Sequence, residues 1–154
     1  MTNEQQEDQW RQDGIRWGII AGGIVVVLFA SVYFVQKELV LSRGLWLSTY
    51  VVYIFAMWKA QSKVEGTELK SYIQPGFMVF VVANALFYFY YHLLFAVFDP
   101  ELVKLQGELM ATQGYDPKDA VMPTVGGSFF AYAQSLIPGF LLATSIGFIL
   151  SRRR

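Results

Sequence analysis

Residues 76–98 read GFMVFVVANALFYFYYHLLFAVF, a run of 23 residues without a single Asp, Glu, Lys or Arg. A helix of that length is about 34 Å long, enough to cross the roughly 30 Å hydrocarbon core of a bilayer. Two further runs have the same character: residues 15–35, in which Arg16 is the one charged residue, and residues 125–150, which contain none. The sequence therefore predicts three membrane-spanning helices from these runs alone.

A fourth span is predicted over residues 39–58, on weaker grounds. The uninterrupted apolar part, residues 45–58, gives a helix of only about 21 Å. Extending it back to residue 39 takes in Arg43, whose charge reaches the headgroups along its own apolar stem. Trp46 and Trp58 stand near opposite ends of this segment, where interface anchors are found. We therefore favour a full crossing over a re-entrant hairpin, which would leave an odd number of crossings.

Four crossings place both chain ends and the loop after residue 58 on one side of the membrane. That side holds eight of the twelve basic residues, and the positive-inside rule therefore predicts an N-in, C-in topology. The eight are Arg11, Arg16, Lys59, Lys63, Lys70, Arg152, Arg153 and Arg154. Because residues 1–14 are acidic, they do not fit a signal peptide, and the first helix is expected to be retained. The expected fold is all-α, an integral membrane four-helix bundle forming one domain over residues 1–154.

The composition excludes several classes of protein. Hydrophobic residues make up 55% of the 154 residues and charged residues 16%, whereas soluble proteins carry roughly 25% charged residues. Twelve Lys and Arg balance twelve Asp and Glu, so there is no basic field to bind nucleic acid. The chain has no Cys and one His, which excludes disulfide frameworks, thiol catalysis, iron–sulfur clusters and zinc sites built within one chain. We expect no metal site and no cofactor.

Residues 99–124 form the external loop of this topology. Asp99, Pro100 and Glu101 match a helix start and Gly114 matches a stop, so a short interfacial helix is predicted between them. We favour a lid over the ends of the spans for this helix, and the alternative is a surface that docks a partner. On the cytoplasmic side, a short surface helix is predicted to begin near Thr67, with the third span starting at residue 75.

Small side chains recur at every fourth position of two predicted spans. In a bilayer, such rows let helix backbones approach closely, and their i, i+4 spacing favours a right-handed crossing of roughly −40°. We expect both rows to be contact faces, packed within the chain rather than against a second subunit. The two helix-packing rows are Gly14, Gly18 and Gly22 in the first span, and Gly127, Ala131, Ser135, Gly139, Ala143 and Gly147 in the fourth.

Polar residues inside the spans form the candidate functional site. Asn84, Tyr88 and His92 lie on one face of the third span, and Pro138 leaves the carbonyl of Gln134 in the fourth span without its usual donor. One hypothesis is a polar intramembrane cluster of Asn84, Tyr88, His92 and Gln134 in which His92 changes charge near neutral pH. The other, which we favour, is a set of interhelical hydrogen bonds with a purely structural role.

Several segments together resemble a family of small four-span membrane proteins of unknown function from the Bacteroidetes. They are residues 17–35, the lead-in 69–77 (LKSYIQPGF), the end of the third span with Phe98-Asp99-Pro100-Glu101-Leu102, and the acidic amphipathic stretch that follows. The resemblance implies four helices and a location in the bacterial inner (cytoplasmic) membrane. It implies no activity and no catalytic residue.

The sequence favours a protein that is not an enzyme. The spans contain no Asp or Glu, and no set of nucleophile, base and orienting group can be assembled around His92. The first hypothesis is an accessory, assembly or scaffolding component whose partners are the lipid bilayer and other membrane subunits or further copies of itself. The alternative is a small-solute transporter or channel built by an oligomer. A weaker third option is a lipid- or quinone-binding subunit that uses the aromatic run 87–91.

Overall fold

The computed structural model describes residues 3–65 and 68–153, and this part of the chain is all-helical, without strands. The predicted all-α class is therefore confirmed. The five helices are α1 (Asn3–Val35), α2 (Arg43–Gln61), α3 (Leu69–Leu93, continued by a π-helical turn over Leu94–Phe98), α4 (Glu101–Thr112) and α5 (Val125–Ser151). Short 3-10 turns over Lys37–Leu41 and Pro117–Asp119 complete the described structure.

Three of the described helices are long and apolar enough to cross a membrane. They cover Glu4–Val35, Leu69–Phe98 and Val125–Ser151, which correspond to lengths of about 48, 45 and 40 Å. This indicates a membrane protein. Helix α2 is not among these three, although its 19 residues measure about 28 Å. Its polar residues, which include Arg43 and Lys59 near its ends, make it less apolar than the three long helices.

The predicted boundaries differ from the observed ones at three places. Helix α1 starts at Asn3 instead of residue 15, because backbone hydrogen bonding continues beyond the apolar run. The predicted continuous helix 39–58 is interrupted at Ser42, whose hydroxyl accepts a hydrogen bond from Leu45 N at 3.2 Å and caps α2. Helix α3 begins at Leu69 and includes Pro75, where the proline removes one backbone donor near the start of the helix. The predicted helix start at Thr67 lies outside the described residues.

Helix α3 is the centre of the bundle. Within the described residues, α1 and α5 each pack along α3 and do not contact one another. Helix α2 touches all three of these helices and closes the remaining side of α3. The core therefore follows α3, whose buried side chains include Val79, Phe80, Ala83 and Phe87.

Helix α2 packs along α3 between Tyr72 and Tyr91, despite its modest apolarity. Near its start, the Trp46 ring lies 5.0 Å from Phe87 and 5.5 Å from Tyr91, measured between ring centroids. At its end, Gln61 contacts Tyr72 in the first turn of α3. Fifteen residues of α3, about 22 Å, separate Tyr72 from Phe87. Helix α2 is therefore antiparallel to α3 and reaches from one end of the bundle toward the other.

One end of the bundle gathers most of the basic residues, and we call it the basic end. The start of α1 meets the end of α2 there through an ion pair of 3.0 Å between Lys63 Nζ and Asp13 Oδ1. The Arg153 guanidinium lies 5.6 Å from the Trp58 ring, which joins the end of α5 to α2. The start of α1 and the ends of α2 and α5 therefore meet at the basic end.

Candidate functional site

Asn84 forms a polar contact in the middle of the α3–α5 interface. Its side chain is 4% exposed, and its amide donates a hydrogen bond to the Ser135 hydroxyl of α5. Ser135 in turn donates to the carbonyl of Tyr132 at 2.5 Å. The Asn84 amide is thereby satisfied inside the protein, where an unpaired amide would be unfavourable.

His92, eight residues after Asn84 on α3, forms a second polar pair at the same interface. Its Nδ1 lies 2.9 Å from the hydroxyl of Ser128 in the first turns of α5. Between the two pairs, the half-buried Tyr88 ring packs edge-on against Tyr132 at 6.2 Å. The Tyr132 hydroxyl donates to the carbonyl of Val81 at 3.2 Å. Three of the four residues in the predicted cluster therefore do lie along one interface.

A groove of about 360 Å³ opens sideways between α3 and α5 beside these residues. His92 and Ser128 lie among its lining residues, most of which are aromatic or aliphatic. Its other lining residues are Ala85, Tyr88, Phe89, Val125, Phe129 and Tyr132. A groove of this kind fits an apolar chain carrying one hydrogen-bonding group.

Gln134 is not part of this polar interface. It is exposed on the outer surface of α5, and no hydrogen bond of its side chain is found among the described residues. Counting around the helix, nine residues separate Gln134 from the fully buried Ala143, which places the two on opposite faces, about 180° apart. The neighbouring Ser135, turned toward α3, takes the place that the prediction gave to Gln134.

The glycine row of α1 packs against α3. An added Cβ at Gly14 would lie 2.8 Å from the carbonyl oxygen of Pro75, and one at Gly18 would lie 2.7 Å from Val82. At Gly22 the nearest atom, in Leu86, would be 2.9 Å away. Only glycine allows this approach, so the row is a contact face within the chain.

The small-residue row of α5 divides between two surfaces. Gly139, Ala143 and Gly147 are buried, and a side chain at Gly139 would meet the ring of Phe80. Gly127, in contrast, is exposed, and a side chain there would meet only Thr124 of the same loop-to-helix junction. The physical reason is that an i, i+4 row turns by about 40° around the helix at each step. Its first members, including the half-buried Ala131, therefore face away from α3.

A buried contact at the basic end, which we call the Gln61 junction, was not predicted from the sequence. The Gln61 side chain is completely buried, and its Nε2 donates to two main-chain carbonyls, Tyr72 O at 2.9 Å and Ala143 O at 2.7 Å. One amide thus joins α2, α3 and α5. The Gln61 Oε1 atom is buried without a hydrogen-bond partner among the described residues.

Two glycines make the Gln61 junction possible. Gly76 lies four residues after Tyr72 and Gly147 four residues after Ala143. In a helix, the Cβ of residue i+4 projects back over the carbonyl of residue i. Glycine at i+4 therefore leaves that carbonyl open, and an added Cβ at Gly76 would collide with the Gln61 amide. A carbonyl has two lone pairs, so each can accept the amide as well as its helical partner.

At the opposite end, Asp99 connects α1 to the turn that precedes α4. Its carboxylate accepts a hydrogen bond of 3.0 Å from the Tyr33 hydroxyl and lies 3.6 Å from Lys37 Nζ. Lys37 also pairs with Glu101 at 3.5 Å. The Asp99 carboxylate raises the pKa of Lys37 above its usual value. This network anchors the predicted external helix, which is α4, over the ends of the spans.

Within residues 3–65 and 68–153, no group of three or more His, Asp or Glu side chains could hold a metal ion. No family model matches the chain, and neither a curated protein nor a solved structure shows significant similarity to it. The resemblance to the Bacteroidetes family therefore stays a prediction.

Proposed function

We propose that this chain is a multi-pass protein of the bacterial inner membrane that acts as an accessory, assembly or scaffolding component and not as an enzyme. In this proposal, α2 is the fourth crossing and both chain ends lie in the cytoplasm. The polar groups between α3 and α5 bond to one another, so they hold the bundle together and leave little chemistry for a substrate. The outer surface of the bundle then carries the function, through contacts with other proteins in the membrane.

Gln134 is the observation that carries this proposal. An amide facing hydrocarbon is unfavourable unless another protein group pairs with it. Glutamine side chains in membrane helices are accordingly found where helices associate. The exposed amide on the outer face of α5 therefore supports a docking surface at this position.

Co-purification in mild detergent from the native host tests the proposal. We expect the wild-type protein to retain a stoichiometric membrane partner, or a second copy, and Gln134→Leu to lose it. The matched control is Thr144→Val, because the Thr144 hydroxyl bonds to the carbonyl of Phe140 in its own helix at 2.9 Å. Transport of a solute by the purified protein alone in liposomes would overturn the proposal.

The proposed topology has a separate test. Because the chain contains no Cys, single cysteines can be introduced without background labelling. We expect Ser62→Cys and Gln9→Cys to react with an impermeant maleimide from the cytoplasmic side and Lys118→Cys to react from the outside. Labelling of Ser62→Cys from the outside would contradict the fourth crossing.

The groove beside His92 favours one second candidate, the oligomeric transporter or channel for small solutes. His92 is an ionisable residue within a candidate span, and such residues often mark a pathway. A complete path would need several subunits, since the described interior is closed by the aromatic core. A strictly monomeric protein in native mass spectrometry would exclude this candidate.

A further inference from the structure

We propose that the partner at Gln134 is a second copy of this chain, docked face to face along α5. The inference rests on the proposed function, and it specifies the partner of that surface. The outer α5 stripe comprises Gly127, Ala131, Gln134, Leu141, Ser145 and Phe148.

The position of Gln134 along α5 keeps it far from water. Helix α5 extends from Val125 to Ser151, so its centre is at Pro138, and Gln134 lies only about 6 Å from that centre along the axis. Pro138 has no N–H, and the main-chain carbonyl of Gln134 therefore lacks its i+4 donor. The Gln134 side-chain amide, with two N–H donors and one oxygen, therefore lies beside the Gln134 main-chain carbonyl oxygen on the lipid-facing surface. Such groups in membrane helices are satisfied by neighbouring helices.

A second copy supplies the complementary groups at the required depth. All copies of a chain insert in the same orientation, so Gln134 of one copy and Gln134 of another lie at equal depth in the bilayer. A two-fold axis between two α5 helices then lets each amide N–H donate to the side-chain or main-chain oxygen of the other copy's Gln134. This gives two reciprocal hydrogen bonds. An unrelated partner would need a polar group at that same depth by coincidence.

The Gln61 junction is a precedent for this chemistry within the same protein. There, a glutamine amide joins helices by donating to main-chain carbonyls at 2.9 and 2.7 Å. Those carbonyls are open because glycines follow them, whereas the Gln134 carbonyl is open because Pro138 follows it. In both cases a carbonyl with an unused lone pair lies on a helix surface.

The rest of the outer α5 stripe fits close helix packing. With Pro138, its members follow at alternating intervals of four and three residues, the spacing of a left-handed crossing near +20°. Three of them, Gly127, Ala131 and Ser145, are small, and the Ser145 hydroxyl bonds to the Leu141 carbonyl of its own helix. None of its members is charged, and at its C-terminal end the Arg152 guanidinium lies 4.1 Å from the centroid of the Phe148 ring.

Disulfide or bis-maleimide cross-linking of the full chain in liposomes tests the inference. Leu141→Cys places a thiol on the stripe, where the native side chain is 61% exposed. Phe140→Cys is the matched control, because Phe140 is 47% exposed at nearly the same depth but is turned by about 100° around α5. We expect Leu141→Cys to form dimers at high lipid dilution and Phe140→Cys to remain monomeric.

A second experiment combines Gln134→Leu, which removes the side-chain amide, with the cross-linking variant Leu141→Cys. Gln134→Leu should weaken dimer formation by Leu141→Cys roughly tenfold, since two hydrogen bonds between membrane helices are lost. Thr144→Val should leave dimer formation unchanged. Because Gln134 faces lipid, Gln134→Leu should unfold in detergent at the wild-type temperature or above it, which separates loss of docking from loss of folding.

Three results would overturn the inference. They are equal cross-linking of Leu141→Cys and Phe140→Cys, undiminished dimer formation by Gln134→Leu, and a wild-type protein that stays monomeric at every lipid ratio. If the protein is monomeric but a different membrane protein co-purifies and depends on Gln134, the docking function stands and the second copy is wrong. If nothing binds to the outer α5 stripe, both proposals fail.

Discussion

Substitution of Gly76 by Ala tests the Gln61 junction most directly. The new methyl group would occupy the space of the Gln61 amide, because an ideal Cβ at Gly76 collides with that side chain. The amide must then leave its position between α3 and α5. Both of its hydrogen bonds, to Tyr72 O and Ala143 O, would be lost or strained.

The expected loss of stability follows from three contributions. Each hydrogen bond between membrane helices contributes about 0.6 kcal/mol on average and up to about 1.7 kcal/mol. Overpacking of a well-packed core costs about 1 to 3 kcal/mol. Replacing glycine by alanine inside a helix is itself stabilising by about 0.5 to 1 kcal/mol. The net expectation for Gly76→Ala is a loss of roughly 3 kcal/mol in the free energy of unfolding.

Gln61→Leu should be the milder change, although it removes the same two hydrogen bonds. Leucine also removes the buried Oε1, which has no partner among the described residues, and the relief of an unsatisfied buried oxygen offsets about 1 to 3 kcal/mol. We therefore expect Gln61→Leu to lower stability by at most about 1.5 kcal/mol. In the double variant Gly76→Ala with Gln61→Ala, the methyl group has space. Its loss of stability should therefore fall below the sum of the losses measured for Gly76→Ala and Gln61→Ala as single variants.

Reversible unfolding of the purified protein by SDS in mixed micelles, followed by circular dichroism, measures these differences. The matched control is Gly23→Ala, because an added Cβ at Gly23 would meet nothing within 4 Å. If Gly76→Ala is no less stable than Gly23→Ala, or if the double variant is additive, the described position of the Gln61 amide is wrong.

Three further predictions concern other parts of the bundle. Gly22→Ala should lower stability by about 1 to 2 kcal/mol through contact with α3, whereas Gly23→Ala should be neutral or stabilising; thermal unfolding in detergent compares these neighbours, and equal effects would exclude the proposed α1 face. Gly139→Leu should lower the same unfolding temperature more strongly, because the side chain would meet a buried ring of α3, and an unchanged temperature would refute that packing. The raised pKa of Lys37 means that its pairing with Asp99 contributes fully below the ordinary lysine pKa of 10.5 and is lost as the pH rises through the higher folded value; unfolding temperatures from pH 9 to 12 should therefore fall more for wild type than for Lys37→Met, and parallel profiles would contradict the pairing.

The three long helices could be predicted from the sequence, because a long uninterrupted apolar run in a bilayer must bond its backbone groups internally as a helix. Their ends could be predicted less well. Helix α1 begins at Asn3, before the apolar run. The apolar pattern could not predict this start, because residues 3–14 are helical without being apolar. The helix break at Ser42 coincides with a single side-chain cap. The composition of residues 39–58 predicts a continuous helix and does not indicate this cap.

The candidate site could be predicted on α3 but not on α5. Asn84, Tyr88 and His92 share a face of α3 by simple helical spacing. Which α5 residue meets them depends on the rotation of α5, and Gln134 and Ser135 differ by about 100°. The row of small residues could not decide between them, because it winds around the helix. The Gln61 junction was out of reach for a different reason, since its acceptors are main-chain carbonyls that no residue type identifies.

The central place of α3 has a consequence for biogenesis. The glycines of α1 pack on side chains as distant as Leu86, so Gly22 leaves the ribosome about 60 residues before its contact surface exists. At typical rates of protein synthesis that interval lasts roughly 3 to 12 s. During that interval the glycine face of α1 has no α3 to pack against. A premature stop before α3 would therefore leave α1 with α2 as its neighbour and with its glycine face uncovered.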